Sequence, residues 1–373
     1  MEHIILENLQ SKQCTVDAVV LNDAVIFEEM SMNASFVKSR LTVYVWQDKI
    51  IPPNSPEVST AQQNLTKFAS EIGEQYSYGT GMATHELLAK GILQGSVLVS
   101  GDTDVSVLGA AGVLGLPLQV QPLKEVLETG VVDLSQYELI TVGVQLGGLD
   151  VYTIAQLLKH QLSAQLKENA IIGLVDPTQS LTMRDRMMLC SWVKQWNVAS
   201  ILFIDVKQPD YTVDTSEVLQ KNETVELPVA AVFIGGTCGG FLEDIEVVAN
   251  ALEGKHVAKG TRLSVSPATA DIYIEAANKG YISTIIDAGG LVFNQCASPD
   301  VQARIGSGEL MISSFCEGRT MALMGPGEIM LGTNNRNFLG RYGSAEAQAY
   351  LSSPAVAAAS AITGYLTHPN QVV

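Results

Sequence analysis

Basic side chains are scarce in this chain: 22 Lys and Arg stand against 39 Asp and Glu, a formal net charge of −17. That balance excludes a general affinity for nucleic acid or for an anionic membrane surface, both of which are bound through an excess of positive charge. Cysteine is nearly as sparse. The five (Cys14, Cys190, Cys238, Cys296 and Cys316) are an odd number, widely spaced, with no CxxC pair. Such spacing excludes a disulfide framework and suits a reducing cytosol. The chain has no uninterrupted run of about 18 apolar residues to span a bilayer. Met1-Glu2-His3 opens no basic, apolar secretory leader. The expectation is a soluble, cytoplasmic protein.

Charged residues make up only 16% of the chain against 47% hydrophobic, which excludes disorder and calls for deep cores. At 373 residues those cores should belong to two or three domains. Short apolar, β-branched runs alternate with amphipathic stretches, the pattern of an α/β protein. Strands are expected at 41–45, 96–99, 138–142, 200–204 and 229–234. One helix should bury Leu65, Phe68, Ala69 and Ile72. Another should run from Leu242 to Leu252 and close at Gly254. A third should follow Ser266-Pro267, carry Ile272, Ile274 and Ala277, and stop at Gly280. Composition shifts at 130–136 and 208–226 mark two seams, dividing the chain into 1–135, 136–225 and 226–373.

What is there, against the acidic background, is a cationic pocket. Gly332-Thr333-Asn334-Asn335-Arg336-Asn337-Phe338-Leu339-Gly340-Arg341-Tyr342-Gly343 holds two arginines between glycines and asparagines. A guanidinium presents a planar fork of donors that matches a carboxylate with two parallel hydrogen bonds. Glycine admits a small ligand close to the backbone. A surface Arg–Asp pair in a Gly-rich loop would give the same local sequence, so the surrounding motifs decide between the two.

Those motifs resemble the aconitase superfamily. The Asn-Arg-Asn-Phe and Gly-Arg of the segment above, followed by Ser353-Pro354-Ala355-Val356-Ala357-Ala358-Ala359, resemble the C-terminal signature of isopropylmalate and homoaconitate isomerase large subunits. Leu181-Thr182-Met183-Arg184-Asp185-Arg186 through Cys190-Ser191 resembles the family's Leu-Ser-Met-x-x-Arg-x-x-x-Cys-Asn helix. Gly235-Gly236-Thr237-Cys238-Gly239-Gly240 resembles the loop of the first cluster cysteine, and Gly101-Asp102-Thr103-Asp104 its Asp-Ser-His motif. The resemblance implies a three-domain α/β/α assembly around a central cleft, without the mobile swivel domain of full-length aconitases.

The family removes hydroxide with a 4Fe-4S cluster held by three cysteines, one iron staying open to substrate. Aligned without a gap, the three ligand positions fall here on Thr237, Cys296 and Pro299; Cys238, Cys296 and Cys316 form an alternative trio. The family's Asp-His pair becomes Asp48-Lys49. Its Gly-x-x-His becomes Gly81-Met82-Ala83-Thr84, with His85 one residue on. Asp102-Thr103 is kept, and the following histidine is Asp104.

On this pattern the expected function is a cluster-independent isomerase of a small polycarboxylate such as aconitate. Arg336, Arg341, Asn335, Thr103, Asp48, Thr84 and Thr237 would bind substrate. Lys49, Asp102, Asp104 and His85 would move the proton. No cofactor is expected on that reading. Two others stand beside it: a hydro-lyase large subunit with a 4Fe-4S cluster and a separate small swivel subunit, and a non-catalytic polycarboxylate-binding protein.

Overall fold

Strands that are buried along their whole length need cover on both faces, and only helices on either side of a parallel sheet supply it. Ala18–Asn22, Val97–Ser100, Ala170–Val175, Ser200–Phe203, Ala231–Ile234 and Ile329–Gly332 are buried at every position. The computed structural model describes residues 12–22, 37, 41–48, 53, 56–72, 76–91, 95–145, 147–213, 225–236, 239–294, 303–304, 311–312, 324–333, 335, 337 and 342–372.

Three parallel sheets follow one another along the chain. The first contains β1 (Ala18–Asn22), β2 (Thr42–Gln47), β3 (Tyr76–Tyr78), β4 (Val97–Ser100) and β5 (Leu114–Pro117) in the order β3-β2-β1-β4-β5. The second has β6 (Glu138–Gly143), β7 (Ala170–Val175), β8 (Ser200–Phe203) and β9 (Tyr211–Thr212), ordered β8-β7-β6-β9. The third has β10 (Ala231–Ile234), β11 (Arg262–Val265), β12 (Leu291–Val292), β13 (Ile329–Gly332) and β14 (Gln348–Leu351), ordered β12-β11-β10-β13-β14. Every pairing within these sheets is parallel. The aconitase-like α/β fold expected from the sequence is therefore present.

The two faces of β1 show how the period-two pattern is used. Val19 and Leu21 join one core with Leu65, Phe68 and Ala69 of helix α1 (Pro56–Ile72). Ala18 and Val20 join another with Ala83 and Leu87 of α2 (Ala83–Ala89). The first of these cores also takes in Ile171, Ala199 and Leu202, so the first two sheets share apolar packing.

A 3-10 helix at Thr103–Ala111 is wedged between them. A Cβ placed on Gly109 would lie 2.1 Å from the Ile201 carbonyl oxygen and 2.7 Å from Leu202 Cα. Backbone atoms cannot swing aside, so Gly109→Ala is expected to destabilise the protein by about 1–3 kcal/mol. Gly325→Ala, whose methyl would meet only Glu328 side-chain atoms at 3.7 Å, should be close to neutral. Urea unfolding of both variants checks this.

The helix Leu242–Leu252, α4, has the expected bounds. The helix after Ser266-Pro267 differs. It spans Ala270–Asn278 (α5), starts from Thr269, whose side chain accepts the Ile272 N–H, and buries Ala276. Ile274 is 57% exposed. The helix carries Ile272, Ile274 and Ala277 and ends just before Gly280, as expected, but it starts three residues after Pro267. The seam at 130–136 carries Val131–Asp133, paired antiparallel with Gln13–Thr15, and the seam at 208–226 carries β9.

At the amino edge of the third sheet, Arg262 donates from Nη1 to Glu328 Oε1 (3.0 Å) and from Nη2 to Oε2 (2.7 Å), while Gly325 N–H also reaches Oε2 (2.7 Å). These bonds, the Arg262 fork above all, hold the Glu328 carboxyl below its ordinary value of 4.5. A depressed folded-state value adds stability above about pH 4.5 and loses it as pH falls through the folded value. Both side chains are about one-third exposed, so the gain is about 1 kcal/mol or less. Urea midpoints measured from pH 7 to pH 3 should fall less steeply in Glu328→Gln than in the parent.

Candidate active site

Parallel sheets present ligand sites at the carboxyl ends of their strands, and the first sheet gathers polar groups there. Asp48 follows β2 directly and is buried; its Oδ2 accepts the Ala83 N–H at 2.8 Å. That bond ties the strand end to the start of α2, where Thr84 and His85 are both buried and Thr84 Oγ1 lies 3.4 Å from His85 Nδ1. Asn22, at the end of β1, donates from Nδ2 to Asp102 Oδ2 (2.8 Å). Asp102 Oδ1 accepts the Asp104 N–H (3.1 Å), which caps the 3-10 helix that Thr103 begins. Asp104 is buried in its first turn. Strands β2, β1 and β4 are neighbours, so these groups share one edge.

The third sheet meets this edge. Gly81 bridges to Thr269 as an isolated antiparallel pair, with Ala270 N–H on Thr80 O (2.7 Å) and Met82 N–H on Ala268 O (3.2 Å). The Phe241 ring lies against His85 with centroids 5.2 Å apart. Between β10 and Phe241 the backbone is held tightly. Thr333 Oγ1 accepts the Gly235 N–H (2.9 Å) and lies 3.0 Å from the Gly235 carbonyl. Added Cβ atoms would approach Thr333 Oγ1 to 2.1 Å from Gly239 and Ser266 O to 2.4 Å from Gly240. Thr333 thus ties Gly235 to the chain that enters the Arg336 segment and leaves no room for a side chain at Gly239.

The second sheet contributes helix α3 (Met183–Cys190), which Thr182 and Asp185 start with a reciprocal capping box. At its far end the Ser191 carbonyl accepts Asn335 Nδ2 at 2.6 Å, and the Cys190 carbonyl lies 2.7 Å from Ser106 Oγ. At its near end Arg184 pairs with Asp244 of α4, Nε to Oδ1 at 3.0 Å. Asp244 also accepts the Phe241 N–H (3.2 Å). Burial pushes the Asp244 carboxyl up, against the pull of Arg184. Burial likewise opposes the Arg184 charge, but Asp244 outweighs it and holds the guanidinium charged.

The structure therefore brings Asp48, Thr84, His85, Asp102, Thr103, Asp104 and Asn335 to one meeting place of three sheets. Lys49, Thr237, Arg336 and Arg341 lie outside the described residues, as do Cys238, Cys296 and Cys316. The sequence reading missed Asn22, Phe241, Asp244 and the clamp by Thr333. Arg184 stands within the family-like motif, but nothing local assigns it a role. Only Thr333 had a local signal, a hydroxyl just before the paired asparagines.

The thiols can be sorted by environment. Cys14 is buried in the core beneath the first sheet, and burial, with the charge of Asp17 adding to it, pushes its thiol up to about 11. Cys190 is fully buried, and burial pushes its thiol well up despite nearby Arg186. Neither is a source of thiolate. Among the described residues no group of three His, Cys, Asp or Glu is placed to hold a metal ion. The other three cysteines, Cys238, Cys296 and Cys316, lie outside the described residues. Sulfur donors of this kind and count fit an iron–sulfur cluster.

Three parallel α/β units, the first and third joined at their carboxyl edges and the second through α3, have an aconitase-like architecture. Residues 197–364 match the family model described as aconitase family (aconitate hydratase). The homoaconitase large subunit of Thermus thermophilus is 28% identical over 404 aligned positions, 96% of this chain and 92% of that protein. The 3-isopropylmalate dehydratase large subunit of Metallosphaera sedula is 26% identical over 93% of this chain and 89% of the relative. That of Clostridioides difficile is 37% identical, over 46% of this chain and 37% of its own length. Residues 197–364 thus carry an aconitase-family match, and the chain is similar to large subunits of that family along nearly its whole length.

Two expectations are corrected by these relatives. They are named as dehydratase and homoaconitase large subunits, which overturns the reading of a cluster-independent isomerase. The expectation of no cofactor falls with it, because large subunits of this family bind a 4Fe-4S cluster. The physical reason is shared: expelling hydroxide from a saturated carbon needs a Lewis acid on the leaving oxygen. No helix among the described residues is long and apolar enough to cross a membrane.

Proposed function

We propose that this chain is the large subunit of a hydro-lyase of the homoaconitase and 3-isopropylmalate dehydratase type, acting with a separate small subunit on a hydroxylated di- or tricarboxylate. The observation that supports it most is the match to a homoaconitase large subunit over 92% of that protein, taken with the polar edges of three sheets meeting at Phe241 and Asn335. Residues 1–135, 136–225 and 226–373 would be its three domains, one sheet to each.

Cys238, Cys296 and Cys316 would hold the cluster, which when bound supplies a Lewis-acidic iron for the departing oxygen. Arg336 and Arg341 would grip substrate carboxylates and so fix which carbon faces the acid–base groups. Asp102, oriented by Asn22 and the Asp104 N–H, together with Asp104, His85 and Lys49, would move the proton on the carbon next to a carboxylate. Asp48, by accepting the Ala83 N–H, would hold Thr84 and His85 in place. Thr103, Thr237 and Asn335 would line the substrate.

The test is anaerobic co-expression with a small subunit, cluster reconstitution, and assay of hydration of alkylmaleate and homoaconitate-type acids. Turnover of one of these supports the assignment. Reconstituted complex that binds iron yet hydrates none of them contradicts it. Arg336→Lys keeps the charge but loses the fork, and kcat/KM should fall about tenfold to a hundredfold, the loss of one strong charge-assisted contact.

A further inference from the structure

A cavity of about 540 Å³ opens at the carboxyl edge of the second sheet, at the end of α3 and the 3-10 helix away from the site above. Its volume lies within the range of small-molecule sites. Two kinds of polar group line it. Arg186 lies over the Phe203 ring, guanidinium carbon to ring centre 4.8 Å, and its Nη2 lies 3.1 Å from Asp176 Oδ2. Asp176 is spent: its two oxygens also accept the Ser180 and Leu181 N–H groups at 3.1 Å each. The remaining Arg186 donors have no partner among the described residues. Asp205, exposed on the same wall, makes no hydrogen bond or ion pair with them either. Ala110, Ala111, Met183 and Phe203 supply apolar walls.

From these groups we infer that the cavity is a binding site for a small amphoteric molecule, an α-amino acid with an apolar side chain. Its carboxylate pairs with the unused edge of the Arg186 fork, its ammonium with Asp205, and its side chain covers the apolar wall. A plain carboxylate would meet the uncompensated charge of Asp205 in a chain of net charge −17. A plain amine would leave the Arg186 donors unmet. A ligand here touches the ends of two helices whose opposite ends carry Ser191 and Thr103 at the candidate active site. This inference does not depend on the proposed hydro-lyase activity.

Calorimetric titration of the full chain with valine, leucine and methionine tests it, with isovalerate and isobutylamine as analogues lacking one charge. Saturable binding of at least one amino acid is expected, with both analogues at least tenfold weaker. Asp205→Asn should weaken binding about tenfold and Ala111→Phe should abolish it, each with an unchanged circular dichroism spectrum. Asp205 is exposed and unpaired among the described residues, so that variant reports binding without risking the fold, as Arg186→Gln would. No saturable binding by any of the three, analogues that bind as tightly, or affinity untouched by both variants would overturn the inference.

Discussion

Cys238→Ser protein, purified and reconstituted without oxygen, is expected to lose bound iron and labile sulfide together and to fall to background turnover. Cys296→Ser and Cys316→Ser should do the same, because a serine hydroxyl is far less readily ionised than a thiol and is a poor ligand for iron in a sulfide cluster. Cys14→Ala and Cys190→Ala serve as the contrast. Both thiols are buried in apolar cores with ionisation pushed upward, so their loss should cost stability of about 1 kcal/mol and leave the iron content unchanged. The discriminating observation is the pattern across all five. Iron retained in Cys316→Ser but lost in Cys190→Ala would mean that the ligand set is assigned wrongly.

Arg184→Met is expected to destabilise the protein by about 3–5 kcal/mol, because it leaves Asp244 as an uncompensated buried charge. The Asp244 side chain is 0% exposed. Besides Arg184, it accepts the Phe241 N–H at the start of α4. Phe241 in turn packs against His85 and, with Val107, Ala110 and Met187, forms the small apolar cluster where the three units meet. Loss of the pair should therefore loosen the junction as well as the helix. The double variant Arg184→Met/Asp244→Asn, which leaves no buried charge, should be more stable than Arg184→Met alone. Urea unfolding of the parent, the single and the double variants measures the difference. A double variant no better than the single would show that the charge of Asp244 is not the source of the cost.

The parts of this molecule that repeat a periodic rule were legible in its sequence. Val97–Ser100, Ser200–Phe203 and Ala231–Ile234 read as buried strands because each is an unbroken apolar run, and α4 read correctly because its apolar spacing and Gly254 agree. Ala18–Asn22 was passed over although it is the central strand of the first sheet. Its apolar run is closely flanked by others, Cys14-Thr15-Val16 and Ala24-Val25-Ile26-Phe27, so pattern alone does not single it out. The site was legible only in its chemistry-bearing residues. Asp48, Asp102 and the paired asparagines stood out by type, whereas Asn22, Phe241 and Asp244 matter through partners 80, 156 and 60 residues away in sequence. Contacts of that range leave no local signature. The reading of the reaction failed for a different reason. Three aligned ligand positions were judged one at a time, and Thr237 and Pro299 in two of them suggested that the cluster was gone. Relatives along nearly the whole chain are named as homoaconitase and 3-isopropylmalate dehydratase large subunits, which favours the hydro-lyase reading instead.

The most direct test of the central claim is hydration in water enriched with heavy oxygen, catalysed by the anaerobically reconstituted complex of this chain with a small subunit. The account predicts a 2-hydroxy acid carrying one solvent-derived oxygen, formed at a rate that rises with bound iron and vanishes when the iron is chelated. Conversion of the acid at an undiminished rate without iron, or without uptake of solvent oxygen, would contradict it.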